Sequence, residues 1–155
     1  MKDVELRRAG AQDVDLLVEL RKTVLIAANQ LPADADLSHL DAACAAYFAD
    51  EDRQTTFLAL DGDRVVGVGS ADYHTEMPTC ANPTGRCAFL MNIYTDPAYR
   101  RRGIAARIVN ALVEDAKARG AGSVLLEATE MGAPLYRKLG FVEARGYMRW
   151  KSRGV

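Results

Sequence analysis

The stretch Cys87–Ala106, CAFLMNIYTDPAYRRRGIAA, decides how the rest of the chain is read. It opens as a strand, because Ala88, Phe89, Leu90, Met91, Ile93 and Tyr94 are apolar or aromatic and lie between Gly85 and Pro97. Pro97 has no N–H to give to a ladder, and it ends the strand. Arg100-Arg101-Arg102-Gly103-Ile104-Ala105 then turns into a helix whose apolar face runs to about Ala116. A basic turn with a glycine, between a strand end and a helix start, is a place for phosphate. The first N–H groups of a helix point outward unpaired, and the helix dipole adds partial positive charge. Gly103 lets a pyrophosphate approach the backbone, and Ala105 keeps the next position small.

Two segments carry a resemblance to a known family. Arg100-x-x-Gly103-x-Ala105, directly after Ile93-Tyr94-Thr95-Asp96-Pro97, is similar to the acetyl-CoA signature of the GCN5-related N-acetyltransferases (GNAT). Further on, Leu135-Tyr136-Arg137-Lys138-Leu139-Gly140-Phe141 looks like the family's Leu-Tyr-x-Lys-x-Gly-Phe segment. The resemblance is strong from Leu90 to Phe141 and rests on element order before that.

Composition sets the outer bounds. The 155 residues suit one domain, 1–155, with room for a core. Hydrophobic residues at 49% and charged ones at 26% describe a globular protein, and a net charge of −1 gives no global field for nucleic acid or acidic lipid. The arginines at 100–102 are therefore a local feature, suited to a small polyanion. Three cysteines without CxxC spacing predict reduced thiols rather than a disulfide framework. The N-terminal MKDVELRRAG has no signal-like apolar run, and no window approaches a membrane span. The expectation is a cytoplasmic protein.

Taken in order, Val4 and Leu6 alternate with charged residues in a short strand ending near Arg8. Val14, Leu17, Leu20 and Val24 recur at helical spacing up to about Asn29, and residues 30–36 read as a loop. Ser38 and Asp41 look like a capping box for a second helix carrying Leu40, Cys44, Tyr47 and Phe48. Thr55–Leu60 and Val65–Tyr73 form a hairpin about Asp61-Gly62-Asp63-Arg64, with Gly67 and Gly69 marking a bulge or close packing. His74–Gly85 is a long loop, a candidate substrate lid or a plain surface connection. A helix from about Arg102 to Arg119, a strand Ser123–Ala128, a short helix Ala133–Leu139 and one or two strands over Phe141–Lys151 complete the chain.

The resemblance implies a mixed α/β fold, with a mostly antiparallel central sheet splayed between two strands and flanked by helices. It implies that a bulge in the central strand frees backbone groups of Ile93, Tyr94 and Thr95 for pantetheine. One such N–H, that of Ile93, would face the acetyl oxygen. Arg100 would border the cofactor, and the N–H groups of Arg101, Arg102, Gly103, Ile104, Ala105 and Ala106 would hold pyrophosphate. Tyr136 would protonate the departing thiolate and also border the cofactor. Thr129 stands where the family often has asparagine. The family's frequent strand glutamate is replaced by Asn92, which is no base; Glu127, Glu130, His74 or a water chain remain for that role, with Glu127 foremost.

The resulting expectation is an acyl-CoA-dependent N-acetyltransferase. It passes the acetyl group of acetyl-CoA to a primary amine of a small molecule or peptide by direct attack in a ternary complex. The alternative is a non-catalytic CoA-binding regulatory domain. Asp34, Asp36, Asp72 and Glu76 hint at a cationic acceptor. His39, Cys44, His74, Cys80 and Cys87 show no zinc-like spacing, so no metal is expected. No nucleic-acid or membrane partner is expected; dimers are common among similar proteins, which leaves the oligomeric state open between monomer and homodimer.

Overall fold

The computed structural model describes residues 3–144 and 146–152. Its hub is the predicted central strand, β4 (Arg86–Thr95). Before it come β1 (Glu5–Arg8), α1 (Val14–Ala28), α2 (Asp41–Ala49), β2 (Gln54–Asp61) and β3 (Arg64–Thr75). After it come α3 (Ile104–Ala118), β5 (Ser123–Leu126) and α4 (Ala133–Lys138). The five strands form one sheet in the order β1-β2-β3-β4-β5. Every pairing is antiparallel except β4 with β5, which is parallel. This is the mixed, mostly antiparallel arrangement that the resemblance implies.

Two features of β4 shape the site. The first is a bulge. Val68 faces Tyr94 and Ser70 faces Met91, so Asn92 and Ile93 together oppose Gly69 alone. Asn92 carries the irregularity at φ +61, a left-handed conformation that asparagine tolerates better than most residues. The extra residue breaks the alternation of faces. Leu90 and Ile93 pack with α3, whereas Met91 and Asn92 both line a cavity on the side of α1 and α2.

The second feature is the splay. The β4–β5 ladder runs from Cys87↔Ser123 to Leu90↔Leu126 and stops. Met91–Thr95 keep β3 on one side and have no strand on the other among the described residues. The cleft thus opens at the bulge.

Helix α3 is held against the sheet by Ile104, Ile108, Val109, Leu112 and Ala116, all buried. Each fully buried leucine or isoleucine contributes roughly 1.5–3 kcal/mol. Gly69 makes the approach possible, since a Cβ there would sit 2.4 Å from Ile108 Cγ2. The opposite face is covered by α1 and α2 through Leu17, Val18, Val24 and Phe48, packed on Leu58 and Val68.

Asp115 joins α3 to the first three strands. Its side chain is 8% exposed and pairs with Arg8 at 2.6 Å and Arg119 at 3.2 Å. The Thr55 and Tyr73 hydroxyls donate to it at 2.7 and 2.6 Å. Burial works against this carboxylate's charge, but the bonds from Tyr73, Thr55 and Arg8 prevail and hold its pKa below the ordinary value.

Several expectations are corrected here. Ser38 and Asp41 form no capping box; Asp36 Oδ1 accepts the Ser38 N–H at 2.9 Å, and a 3-10 turn leads into α2. His74 lies on β3 rather than in a loop, because it pairs with Cys87 across the ladder. The loop after β3 closes on itself, with Glu76 N–H bonded to Gly85 C=O and Asn82 Nδ2 to Arg86 C=O. It sits at the far end of β4 from the bulge, six residues or about 20 Å away, which removes the reason to read it as a lid.

No strand forms over the described parts of residues 141–151. Val142, Met148 and Trp150 are each more than four-fifths exposed, and strand propensity acts only where a pleated surface is available to pack on. Arg145 lies outside the described residues. No helix among the described residues is long and apolar enough to cross a membrane.

Candidate active site

The turn from β4 to α3 curls into a backbone cradle at the uncapped start of α3. Asp96 Oδ1 accepts the Ala98 N–H at 2.9 Å, and Pro97–Tyr99 make a single 3-10 turn. Arg101 at φ +61 and Gly103 at φ +76 then curl the backbone into α3. No side chain caps α3, so its first N–H groups stay open to a ligand. Arg100 and Arg102 brace this turn: Arg100 Nε donates to Thr95 C=O at 3.1 Å and Arg102 Nη2 to Ala98 C=O at 3.2 Å. Their guanidinium groups lie over Tyr94 and Tyr99. Arg101 is exposed and is not tied to the loop in this way. Ile104 is buried, while Ala105 and Ala106 are half-buried on the first turn.

Within the cleft, Ile93, Tyr94 and Thr95 are half-buried on the unpaired half of β4. The Thr95 hydroxyl is buried with no hydrogen-bond partner among the described residues. A buried, unsatisfied hydroxyl costs free energy, and a polar arm laid along β4 would supply its partner.

Tyr136, on α4, lines a cavity of about 630 Å³ with Leu125, Leu126, Thr129, Ala133 and Phe141. Its ring packs edge-on against Phe141 at 6.1 Å, and burial pushes its phenol pKa up. The phenol is thus protonated at neutral pH and has no hydrogen bond among the described residues. Thr129 is already used: its Oγ1 accepts the Gly132 N–H at 3.1 Å and starts α4.

Glu127 is separated from Tyr136. It is exposed, paired with Arg149, and lines a neighbouring cavity with Phe89, Tyr147 and Trp150. Glu130 does line the Tyr136 cavity.

On the other face of the bulge, Arg21, Cys44, Tyr47, Phe48, Met91 and Asn92 line a cavity of about 250 Å³ that also reaches Asp72. Arg21 Nη1 donates to Asn92 Oδ1 at 3.3 Å, and Asn92 Nδ2 donates to Ser70 at 3.2 Å. Burial lowers the Arg21 pKa. Asp72 stands on β3, as the expected strand Val65–Tyr73 implies, and accepts the Tyr47 hydroxyl at 2.7 Å. Sequence reasoning missed Arg21. The signal was present: it lies four residues after Leu17 and three before Val24, so it shares the buried face of α1.

His74, Glu76 and Cys87 come together with ligand atoms within 4.8 Å, a grouping that linear spacing could not show because it forms across the β3–β4 ladder.

The family model described as "Acetyltransferase (GNAT) family" matches residues 24–141. The chain belongs to the GNAT family. Among GNAT relatives, "Glucosamine 6-phosphate N-acetyltransferase 1" of Oryza sativa subsp. japonica is 39% identical over 59 residues, which span 38% of this chain and only 36% of that protein. "Probable glucosamine 6-phosphate N-acetyltransferase 2" of the same plant is 31% identical over 152 residues, 90% of this chain and 82% of the relative. A crystal structure of a "predicted acetyltransferase with acetyl-CoA" from Clostridium acetobutylicum superposes with a TM-score of 0.85 at 28% identity, over 96% of both chains. The GNAT match takes in the cleft, the turn and Tyr136 together.

Proposed function

We propose that the protein is an N-acetyltransferase of one domain that moves the acetyl group of acetyl-CoA to a primary amine by direct attack in a ternary complex. The observation that carries this reading is the splay of β4 from β5 at Leu90, opening beside the uncapped α3 N-terminus. The likeness to a structure holding acetyl-CoA supports it.

In this reading the pyrophosphate rests on N–H groups of residues 101–106. The pantetheine arm lies along Ile93–Thr95 and meets the orphaned Thr95 hydroxyl. The Ile93 N–H polarises the acetyl oxygen, a contribution of about 3 kcal/mol to the transition state. The amine nitrogen attacks the carbonyl carbon, the C–N bond forms and the C–S bond breaks. The CoA sulfur takes the Tyr136 phenolic proton, and the attacking nitrogen gives up its surplus proton to water, through which the phenol is restored. Glu127 lies outside the Tyr136 cavity and pairs with Arg149, so the acceptor ammonium loses its proton before attack to water or to Glu130, which lines that cavity. Metal chemistry has no part in this scheme, and a cytoplasmic setting belongs to the same proposal.

The test is thiol release from acetyl-CoA with a panel of primary amines, with the N-acetyl product identified by mass. Turnover with at least one amine is the expected result. Acetyl-CoA binding without turnover of any amine would favour a CoA-binding regulatory domain instead.

The cradle supports a further expected outcome. A Cβ at Gly103 meets nothing within 4 Å, so a side chain there acts through backbone strain at φ +76 and through the ligand's space. The strain alone costs about 1–2 kcal/mol. Gly103→Val should therefore weaken acetyl-CoA binding about tenfold or more, whereas Arg101→Ala, which removes one exposed charge, should cost about 1 kcal/mol at most. Calorimetric titration of both variants checks the order.

A further inference from the structure

The cavity between α1, α2 and the β4 bulge holds two charged side chains with unequal partners. Asp72 accepts the Tyr47 hydroxyl at 2.7 Å and has Arg53 at 3.5 Å and His74 at 3.6 Å. Arg21 is half-buried, and its Nη1 donates to the neutral Asn92 amide at 3.3 Å. No carboxylate pairs with it among the described residues. A desolvated guanidinium without an anion is costly, and such groups mark binding sites. Asp72 is engaged by Tyr47 and Arg53 while Arg21 has no anion, so an acceptor that carries its own anion beside the amine is favoured in the cavity.

Position and lining narrow the class. Asn92 directly precedes Ile93, so the Arg21 anion site lies about one side chain from the point of attack. Amine and anion must then be close neighbours on the acceptor. The remaining wall, Ala43, Cys44, Phe48 and Met91, is apolar, and about 250 Å³ suits a single small molecule.

We propose that the acceptor is an α-amino acid with an apolar side chain, its carboxylate paired with Arg21, its amine at the β4 bulge and its side chain against Cys44 and Phe48. This rests on the acetyltransferase reading. A sugar phosphate separates amine from phosphate across a ring and offers hydroxyls to an apolar wall, so it fits this cavity less well.

The experiment measures thiol release from acetyl-CoA with L-leucine, L-methionine and L-phenylalanine, with the matching amides and decarboxylated amines, and with glucosamine 6-phosphate. Acetyl-CoA binding is titrated separately. The amino acids should turn over, and removing the carboxylate should lower kcat/KM about 10- to 100-fold, the worth of a charged hydrogen bond. Arg21→Gln should raise KM for the amino acid by a similar factor and Arg21→Lys by less, both with unchanged acetyl-CoA affinity, which also reports that they fold. Equal turnover of amino acids and their amides, an unmoved KM in Arg21→Gln, or turnover of glucosamine 6-phosphate alone overturns the proposal while leaving the acetyltransferase reading intact. Failure to bind acetyl-CoA overturns both.

Discussion

Tyr136→Phe should lower kcat about 10²-fold while leaving acetyl-CoA affinity unchanged. The substitution keeps the ring that packs on Phe141 at 6.1 Å and removes only the proton. A loss of 10²-fold is about 2.7 kcal/mol of transition-state stabilisation, within the range of one positioned general acid. Burial raises the Tyr136 pKa, so the acid form persists above the ordinary tyrosine value of about 10. The expected pH profile of the wild type rises as the acceptor ammonium loses its proton and falls only above about pH 10, when the phenol ionises. In Tyr136→Phe the alkaline fall should disappear. Steady-state kinetics with acetyl-CoA across pH reads both effects, and a variant with wild-type kcat would leave Tyr136 as a packing residue.

The largest effect on stability is expected at Asp115→Ala. The carboxylate takes hydrogen bonds from Arg8, Arg119, Thr55 and Tyr73 and ties α3 to β1, β2 and β3. Removing it leaves the arginines without their anion and the part-buried Tyr73 hydroxyl without its acceptor. Breaking a buried pair from one side costs about 3–5 kcal/mol. Arg8 and Arg119 retain solvent contact, which places the expected loss near the lower figure. The pH dependence has a definite sign. The folded-state pKa is depressed, so this stabilisation is complete above the unfolded value of about 3.9 and is lost as pH falls through the lower folded value. Urea unfolding at pH 7 and pH 3 should show wild type losing more stability on acidification than Asp115→Asn does.

Legibility followed the range over which each feature is encoded. The β4-turn-α3 unit was readable because its signals are adjacent: an apolar run, Pro97, the arginines and Gly103. A bulge near the middle of β4 and the splay were expected through resemblance, and the pairing of Ser70 with Met91 and of Val68 with Tyr94 places the bulge at Asn92 and Ile93. Gly69 was readable as close packing, and Ile108 is what approaches it.

Long-range polar partners were not readable. Asp115 sits 107 residues from Arg8, and nothing local tells a helix aspartate that it will meet three strands. Arg21 could have been found as a charge on the apolar face of α1, but its isolation from carboxylates depends on what α2 and β4 place around it. The C-terminal segment shows the converse error. Phe141, Val142, Tyr147, Met148 and Trp150 have strand-forming character, yet the structure offers their described neighbours no ladder. His74, expected in a loop, owes its place on β3 to Cys87 across the hairpin.

The central claim is that the β4–β5 cleft and the α3 N-terminus together hold acetyl-CoA. Calorimetric titration of the protein with acetyl-CoA, repeated with adenosine 3′,5′-bisphosphate alone, tests it most directly. Micromolar acetyl-CoA binding is expected, weakening when the pantetheine and acetyl parts are absent. No heat of binding at near-millimolar acetyl-CoA would contradict it.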